Sequence, residues 1–307
     1  ATTTSITTTY AGEFAGKYIS AALLSADTLE GGGVTIKPNV KYKEVMKTLS
    51  TDAIVKDATC DFSDTSTLTL AEKILQPEEF QVNLELCKSD FASDWEAISM
   101  GYSAFDELPS NFADYLIGHV AAKVAQKTEQ TIWTGATANA GEFNGFGALL
   151  AADTDVVDVT GTSVTAANVI TEMGKVVDAV PTSIYGKDDL YIYVSSNVAR
   201  AYVRALGGFG ASGLGANGVR NEGTTWFNNQ DLAFDGVKIF VASGMANNTM
   251  VAAQKSNLFF GTGLMSDQNE VKLLDMADLD GSKNVRVVMR YTAGVQIGIG
   301  ADIVYYS

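Results

Sequence analysis

Residues 128–150 read TEQTIWTGATANAGEFNGFGALL, where a helical pattern runs into a glycine-rich turn. Just upstream, apolar side chains recur every four residues: Phe112, Leu116, Val120 and Val124. This spacing predicts one helix over 111–134, with Ser110 as a possible N-cap and Gly135 as its end. The glycines beyond it predict a turn that leads the chain into a new region.

The residues before this helix predict projecting arms. Six of the first nine residues are threonine, a polar and β-branched run that predicts an extended arm in need of a partner surface. Tyr10, Phe14 and Tyr18 then fall four apart, which predicts a short amphipathic helix ending before the glycines at 31–33.

A long β-hairpin arm is predicted next. Residues 40–46 and 80–86 both alternate with period two, and a polar stretch over 50–69 separates them. An excursion of this length rarely packs on its own domain, so we expect it to reach another molecule.

An α/β unit is predicted after the glycine-rich turn. One helix starts at Thr165 and ends at Pro181, the apolar run 190–194 predicts a buried central strand, and a third helix starts at Ser195 or Ser196. Residues 207–223 hold seven glycines and predict a mobile loop. Strand patterns follow at 237–241, after a turn at Asp235-Gly236, and then at 250–253, 271–274, 285–291, 295–299 and 302–306.

Composition excludes several classes of function. The 307 residues include 21 Lys and Arg against 36 Asp and Glu, a formal net charge of −15, which argues against binding nucleic acid through a basic face. One histidine and two cysteines argue against His-rich and four-cysteine metal sites. Because the sequence has neither a membrane-span pattern nor a signal-peptide pattern, we expect a soluble chain with reduced cysteines.

Two motifs suggest catalysis only weakly. Residues 208–213 match GxGxxG, but they follow a predicted helix rather than a strand, which favours a flexible loop over a dinucleotide site. His119 lies in the middle of the predicted helix and no nucleophile motif accompanies it, which favours a structural role over that of a general base.

Two further clusters favour structural interpretations. Asp275, Asp278 and Asp280 lack the spacing of a calcium loop and predict a solvated turn, with adventitious Ca²⁺ or Mg²⁺ as the lesser alternative. For Cys60 and Cys87, free thiols are favoured over a disulfide. The sequence therefore predicts no catalytic, cofactor-binding or metal residues, and its arms suggest a subunit that exchanges pieces with its neighbours.

The order of these elements resembles the major capsid proteins of tailed bacteriophages, which have the Hong Kong 97-type fold. The strongest local likeness is the helix end at 128–135 followed by the apolar and glycine pattern at 143–150, and the strand pattern over 286–306 is also similar. The resemblance covers essentially the whole chain and rests on the order of segments rather than on an invariant signature.

The resemblance implies an α+β fold with four parts. Residues 1–33 would be an N-terminal arm and 34–91 an extended β-hairpin loop that overlaps the next subunit. Residues 92–144 and 271–307 would form a peripheral domain with a long spine helix, and 145–270 an axial domain. Some members of the family carry Lys–Asn crosslinks, but no motif here identifies Lys56 or Lys73 as a donor.

By this resemblance the chain would assemble into the hexamers and pentamers of an icosahedral head that encloses double-stranded DNA without reading its sequence. It would not be an enzyme and would need no cofactor. Its partners would be further copies of itself and the portal, scaffolding or decoration proteins of the same phage, without a membrane. Assembly would take place in the bacterial host cytoplasm. The alternatives are an encapsulin-like nanocompartment shell and an enzyme that binds a nucleotide at 208–213.

Overall fold

A computed structural model describes residues 27–51, 54–58, 60, 64–87, 110–206, 232–263, 271–277 and 281–307. The helices are α1 (Asp27–Glu30), α2 (Ser110–Thr134), α3 (Phe146–Ala152), α4 (Val169–Asp178) and α5 (Ser196–Leu206). The strands are β1 (Thr35–Lys37), β2 (Glu44–Thr51), β3 (Leu68–Leu75), β4 (Glu78–Cys87), β5 (Val157–Val159), β6 (Leu190–Ser195), β7 (Ala233–Phe234), β8 (Val237–Ala242), β9 (Met250–Gln254), β10 (Leu258–Gly261), β11 (Val271–Asp275), β12 (Asn284–Ile297) and β13 (Val304–Tyr306). The predicted mixed α+β class is confirmed.

A sheet with the strand order β5-β13-β9-β6-β8-β7 forms the centre of the α/β region. The apolar strand β6 lies between β9 and β8, and both of its faces are covered. Ile192 and Val194 pack into one core with α4 and α5, whereas Tyr193 packs into the other core beside Trp133. The predicted central strand and its two flanking helices are therefore confirmed.

A second sheet is built around the long strand β12. Met289 of β12 pairs with Val82 of β4 on one side and with Val271 of β11 on the other. The end of β12 pairs with β10, which pairs in parallel with β1. Helix α2 packs against this sheet, so β4 and α2 lie side by side.

The prediction of two separate strands over 285–291 and 295–299 is wrong. The strand runs without a break through Gly294, where the glycine and its neighbours suggest an interruption. A Cβ atom at Gly294 would lie 2.9 Å from the carbonyl oxygen of Gln76. The glycine is therefore needed for a close backbone approach and not for a turn.

The predicted partner strands of the hairpin arm are also wrong. β2 pairs with β3, from Glu44 opposite Leu75 to Thr51 opposite Leu68, and not with residues 80–86. Those residues belong to β4, which pairs with β12. Because proline cannot continue a strand ladder, Pro77 marks the point where the chain leaves the hairpin and enters the second sheet.

Several local boundaries differ from the expected ones. Helix α4 begins at Val169 rather than at Thr165, because the Asn168 side chain accepts a hydrogen bond from the Thr165 amide at 2.7 Å and closes a turn before the helix. β13 begins at Val304, after a 3₁₀ turn over Gly300–Asp302. The turn at Asp235-Gly236 is confirmed, with φ angles of 47° and 79°.

Helix α2 is confirmed over Ser110–Thr134, and the glycines after it have a steric reason. A Cβ atom at Gly135 would lie 2.4 Å from the carbonyl oxygen of Phe143, and one at Gly145 would lie 2.4 Å from that of Thr131. The loop between them therefore returns onto the end of the helix. The predicted N-terminal arm and amphipathic helix, and the glycine loop over 207–223, lie outside the described residues.

Candidate interaction surfaces

The β2–β3 hairpin carries an apolar face that contacts nothing else among the described residues closely enough to bury it. In an antiparallel pair, residues directly opposite each other point to the same side, and successive pairs alternate. One side thus collects five apolar residues that are 42–69% exposed, together with Lys47 and Glu72; we call these five the hairpin face: Val45, Leu49, Leu68, Leu70 and Ile74.

The base of the hairpin is fixed to the second sheet. Leu75 is fully buried against Gly261, where a Cβ atom would lie 2.9 Å from the leucine side chain. The Gln296 amide donates to the Ile74 carbonyl at 2.8 Å. The hairpin is thus fixed at its base, while the hairpin face remains exposed to solvent.

An ion pair ties the hairpin to the end of α3. Lys73 Nζ lies 2.5 Å from Asp153 Oδ2, and both side chains are largely covered. The Lys73 hydrogen bond holds the pKa of Asp153 below its ordinary value. Lys73, one of the two lysines considered for a crosslink, is thus paired with an aspartate, and Lys56 lies in the exposed segment 54–58.

An open apolar groove of about 410 Å³ lies between α2 and β4, and we call it the α2–β4 groove. Its lining is Phe80, Gln81, Val82, Leu84, His119, Val120, Lys123, Val124, Lys127, Gly141 and Tyr291. The polar residues stand mainly at the helix side, where positions 115–128 contain two lysines, one histidine and no carboxylate. The groove therefore has an apolar floor, and its helix side carries Lys123 and Lys127, of which Lys127 is paired with Glu142.

The far rim of the groove is held by the loop after α2. Glu142 accepts hydrogen bonds from Lys127, from the Asn139 side chain at 3.0 Å and from the Ala136 amide at 3.1 Å. These donors, with Lys127 first, lower the pKa of Glu142 to about 2. The carboxylate is therefore ionised at neutral pH and stabilises the loop.

His119 lines the α2–β4 groove and has no catalytic surroundings there. The described residues that line the groove with it include no serine, cysteine or carboxylate, so a nucleophile and base pair is not formed.

A buried carboxylate fastens the N-terminal end of the described chain. Glu129 of α2 accepts a hydrogen bond from the Thr28 amide at 3.0 Å and one from the Thr28 hydroxyl at 2.6 Å. The Trp133 indole donates to the same hydroxyl oxygen at 2.8 Å. Both Thr28 and Glu129 are fully buried, so α1 is locked against the end of α2.

The environment of Glu129 is polar but contains another negative charge. Burial raises its pKa above the ordinary value, and the nearby Asp27 raises it further, while donors at Thr28 and Gly244 oppose the shift. The sequence gives one hint of this buried contact, which is a single acidic residue near the end of an otherwise uncharged helix stretch. The partner Thr28 lies 101 positions away and could not be inferred.

The remaining candidate residues do not converge on one site. Residues 208–213, Asp278 and Asp280 lie outside the described part of the chain, and Asp275 accepts a hydrogen bond from the Ala277 amide at 3.0 Å. Cys60 and Cys87 are unlinked. Among the described residues, no group of three or more His, Cys, Asp and Glu side chains is placed to hold a metal ion. In the same part of the chain, no helix is long and apolar enough to cross a bilayer.

The likeness of this chain to known proteins lies in its structure rather than in its sequence. No protein-family model matches the chain, and no curated protein matches it. The capsid of a native GTA particle, computed with C5 symmetry, is similar over 94% of this chain and 92% of that chain, with a TM-score of 0.61 and 12% identity. The capsid of Myoviridae phage XM1 is similar over 94% of each chain, with a TM-score of 0.58 and 10% identity.

The chain has a phage capsid fold. The capsid of cyanophage P-SCSP1u supports the same conclusion, with a TM-score of 0.55 over 96% of this chain and 91% of that chain at 12% identity. Because each likeness covers more than nine tenths of both chains, the capsid fold extends over nearly all of this chain and not over one part of it. The expected resemblance is thereby confirmed at the level of the fold.

Proposed function

We propose that this chain is the major capsid protein of a tailed bacteriophage, a structural subunit that assembles into hexamers and pentamers of an icosahedral head enclosing double-stranded DNA. The observation that carries the proposal, within the capsid fold, is the exposed hairpin face on a fixed base. Exposed apolar patches of this kind mark interaction sites in soluble proteins. A shell subunit gives such a face a partner in every neighbouring copy.

The proposed division of the chain follows the family resemblance. Residues 1–33 serve as the N-terminal arm, 34–91 as the extended loop, 92–144 and 271–307 as the peripheral domain with α2 as its spine helix, and 145–270 as the axial domain. Within 34–91, the projecting part is the β2–β3 hairpin. Portal, scaffolding or decoration proteins of the phage would be further partners, and assembly would take place in the host cytoplasm.

The charge of the chain suits this function. A shell that encloses densely packed DNA has to release it, and a subunit with a formal charge of −15 does not retain a polyanion through non-specific attraction. The solved structures to which the chain is similar are phage and GTA capsids, so the encapsulin-like alternative is not favoured. The nucleotide-binding alternative gains no support, because its glycines lie outside the described residues.

Shortening the hairpin tests this function. Ser50 and Thr69 are directly opposite, so an Asn-Gly turn in place of residues 51–68 closes the shortened hairpin with standard geometry. We expect this variant to remain soluble and folded by circular dichroism, and to form no stable shells by electron microscopy. The full-length chain, expressed alongside under the same conditions, is the control and should give closed particles of uniform diameter.

Two results would count against the proposal in different ways. Stable monomers as the sole product of the full-length chain, even with the assembly factors of its phage, would contradict the shell function. Shells of normal stability from the shortened variant would contradict only the assignment of residues 51–68 to the overlapping arm, since four of the five residues of the hairpin face are kept.

A further inference from the structure

One short segment of this acidic chain is basic. Residues 31–43 contain three lysines and no carboxylate, so the rest of the chain carries a formal charge of −15 − 3 = −18. We propose that Lys41, Tyr42 and Lys43, which we call the basic patch, contact the phosphate backbone of the enclosed double-stranded DNA. This inference rests on the proposed shell function and deepens it, because it names a surface of the subunit that faces the DNA.

The backbone that leads into the basic patch is fixed to the second sheet. After β1, the Asn39 amide donates to the Gly263 carbonyl at 2.6 Å and the Val40 amide donates to the Thr262 carbonyl at 3.0 Å. The Val40 side chain is buried, with 6% of its surface exposed. The basic patch therefore follows directly on a fixed base, and little conformational freedom is left to lose when it binds.

Two of the three lysines in this segment are available to a ligand. Lys37 Nζ lies 2.5 Å from Glu44 Oε1 and 5.3 Å from the centre of the Phe259 ring, so its charge is used within the fold. Lys41 and Lys43 are exposed, and in the part of the chain that the structure describes neither forms an ion pair with a carboxylate. The patch thus presents two uncompensated positive charges.

An exposed aromatic side chain lies between these two lysines. Tyr42 is 71% exposed, and Lys43 Nζ lies 5.2 Å from the centre of its ring. Lysine ammonium groups and tyrosine hydroxyls are among the side-chain groups that donate hydrogen bonds to DNA phosphate oxygens. The patch therefore offers a phosphate backbone two charges and one hydroxyl at neighbouring positions.

A contact with so few charges suits DNA that has to leave the shell again. Double-stranded DNA carries one negative charge per about 1.7 Å of its axis, so two lysines meet phosphates on any sequence. With two phosphates contacted, the affinity should fall by about 12-fold between 50 and 200 mM salt. One DNA molecule can engage the patches of many copies at once, whereas a single acidic protein segment cannot, and this favours DNA as the occupant.

Photocrosslinking inside filled particles tests the basic patch. Tyr42 is replaced by p-benzoylphenylalanine, an aromatic residue that bonds covalently to a close neighbour on irradiation. The particles also contain the unsubstituted chain, so assembly does not depend on the variant. They are filled with DNA by the assembly factors of the phage, irradiated, digested with nuclease and analysed by mass spectrometry. We expect nucleotides attached at position 42, and none in particles that contain no DNA.

A matched control places the same photoreactive residue at Tyr185, a tyrosine that is 51% exposed in the α/β region. This variant should give no nucleotide adduct. Equal adducts at the two positions would show that the DNA contacts the shell without preference and would overturn the inference.

A second pair of variants tests the charges. Adding Lys41→Gln and Lys43→Gln to the photoreactive chain should lower the adduct yield by about tenfold, which is the size of the salt effect for two phosphates. Adding Lys187→Gln and Lys238→Gln, at two exposed lysines elsewhere, should leave the yield unchanged. An unchanged yield with the first pair would contradict the role of the two lysines.

The outcomes separate this inference from the shell function. Filled particles without a nucleotide adduct at position 42, or with a protein–protein adduct in its place, would overturn the DNA contact and leave the shell function standing. The second result would assign the patch to an acidic protein surface. Failure of the unsubstituted chain to form any particles would overturn both.

Discussion

Leu49 and Leu70 face each other across the β2–β3 hairpin and are 60% and 69% exposed in a single copy. Replacing both by alanine removes apolar surface that we expect to be buried between subunits, while the pairing of the strands is kept. Exposed positions outside the core usually change stability by about 0.5 kcal/mol or less. The double variant should therefore fold as the parent chain does and assemble less readily.

The size of the effect follows from the exposed fractions. Each Leu→Ala change removes three carbons, and burial stabilises by about 0.8 kcal/mol per carbon, or about 2.4 kcal/mol for a fully buried leucine. Scaling by the exposed fractions gives about 1.4 kcal/mol for Leu49 and about 1.7 kcal/mol for Leu70, or about 3 kcal/mol together. Since about 1.4 kcal/mol is a tenfold change in affinity, each subunit contact should weaken by about 100-fold.

Light scattering on a dilution series measures the critical concentration for assembly. In a ring each copy gives one hairpin and receives one, so the loss per subunit equals the loss per contact and the critical concentration should rise by about 100-fold. The matched control is Ile170→Ala with Ile299→Ala, which removes as many carbons from residues that are 52% and 48% exposed elsewhere. An unchanged critical concentration for the hairpin variant, or an equal rise for the control, would refute the reasoning.

Two further predictions concern the surroundings of the buried Glu129. Gly244→Ala would place a Cβ atom 2.1 Å from the Glu129 carbonyl oxygen and should lower the free energy of unfolding, measured in urea, by about 1–3 kcal/mol. In the control Gly174→Ala in α4, the added Cβ atom would have no atom within 4 Å, and the free energy of unfolding should rise by about 0.5–1 kcal/mol. Equal effects of the two variants would contradict the close contact at Gly244. Because the folded chain raises the pKa of Glu129 above 4.5, it binds that proton more tightly than the unfolded chain, so the free energy of unfolding should fall as the pH rises from 4.5 through the raised pKa. Glu129→Gln should flatten this part of the pH dependence in urea titrations, and identical pH slopes for the variant and the parent would argue against the assignment.

The sequence predicts well what local periodicity determines. Helix α2 and strand β6 follow from apolar spacing alone, because each buries a face or both faces within one continuous segment. The pairing partner of β2 does not follow from local periodicity. Whether β2 pairs with residues 68–75 or with 80–86 depends on a competing partner for β4, and that partner, β12, lies about 200 residues further along the chain.

The candidate site is hidden from the sequence for a related physical reason. Alternating apolar residues such as Leu68, Leu70 and Ile74 have the pattern of a strand that covers its own core, and periodicity does not distinguish a buried face from an exposed one. The floor of the groove, Val82 with Val120 and Val124, likewise has the pattern of ordinary core. Only the tertiary arrangement shows that, in the part of the chain that the structure describes, the hairpin face is exposed and the groove is open.

The acidic charge and the apolar face act in opposite directions on assembly. A formal charge of −15 on every copy makes two copies of the chain repel one another. The hairpin face offers apolar surface whose burial salt does not screen. Burying that face against the described residues of the same copy would require the hairpin base to move, at the cost of the buried position of Leu75 and the Lys73–Asp153 pair. Association between copies would leave these contacts intact, and this is the physical reason for proposing that a second copy covers the hairpin face.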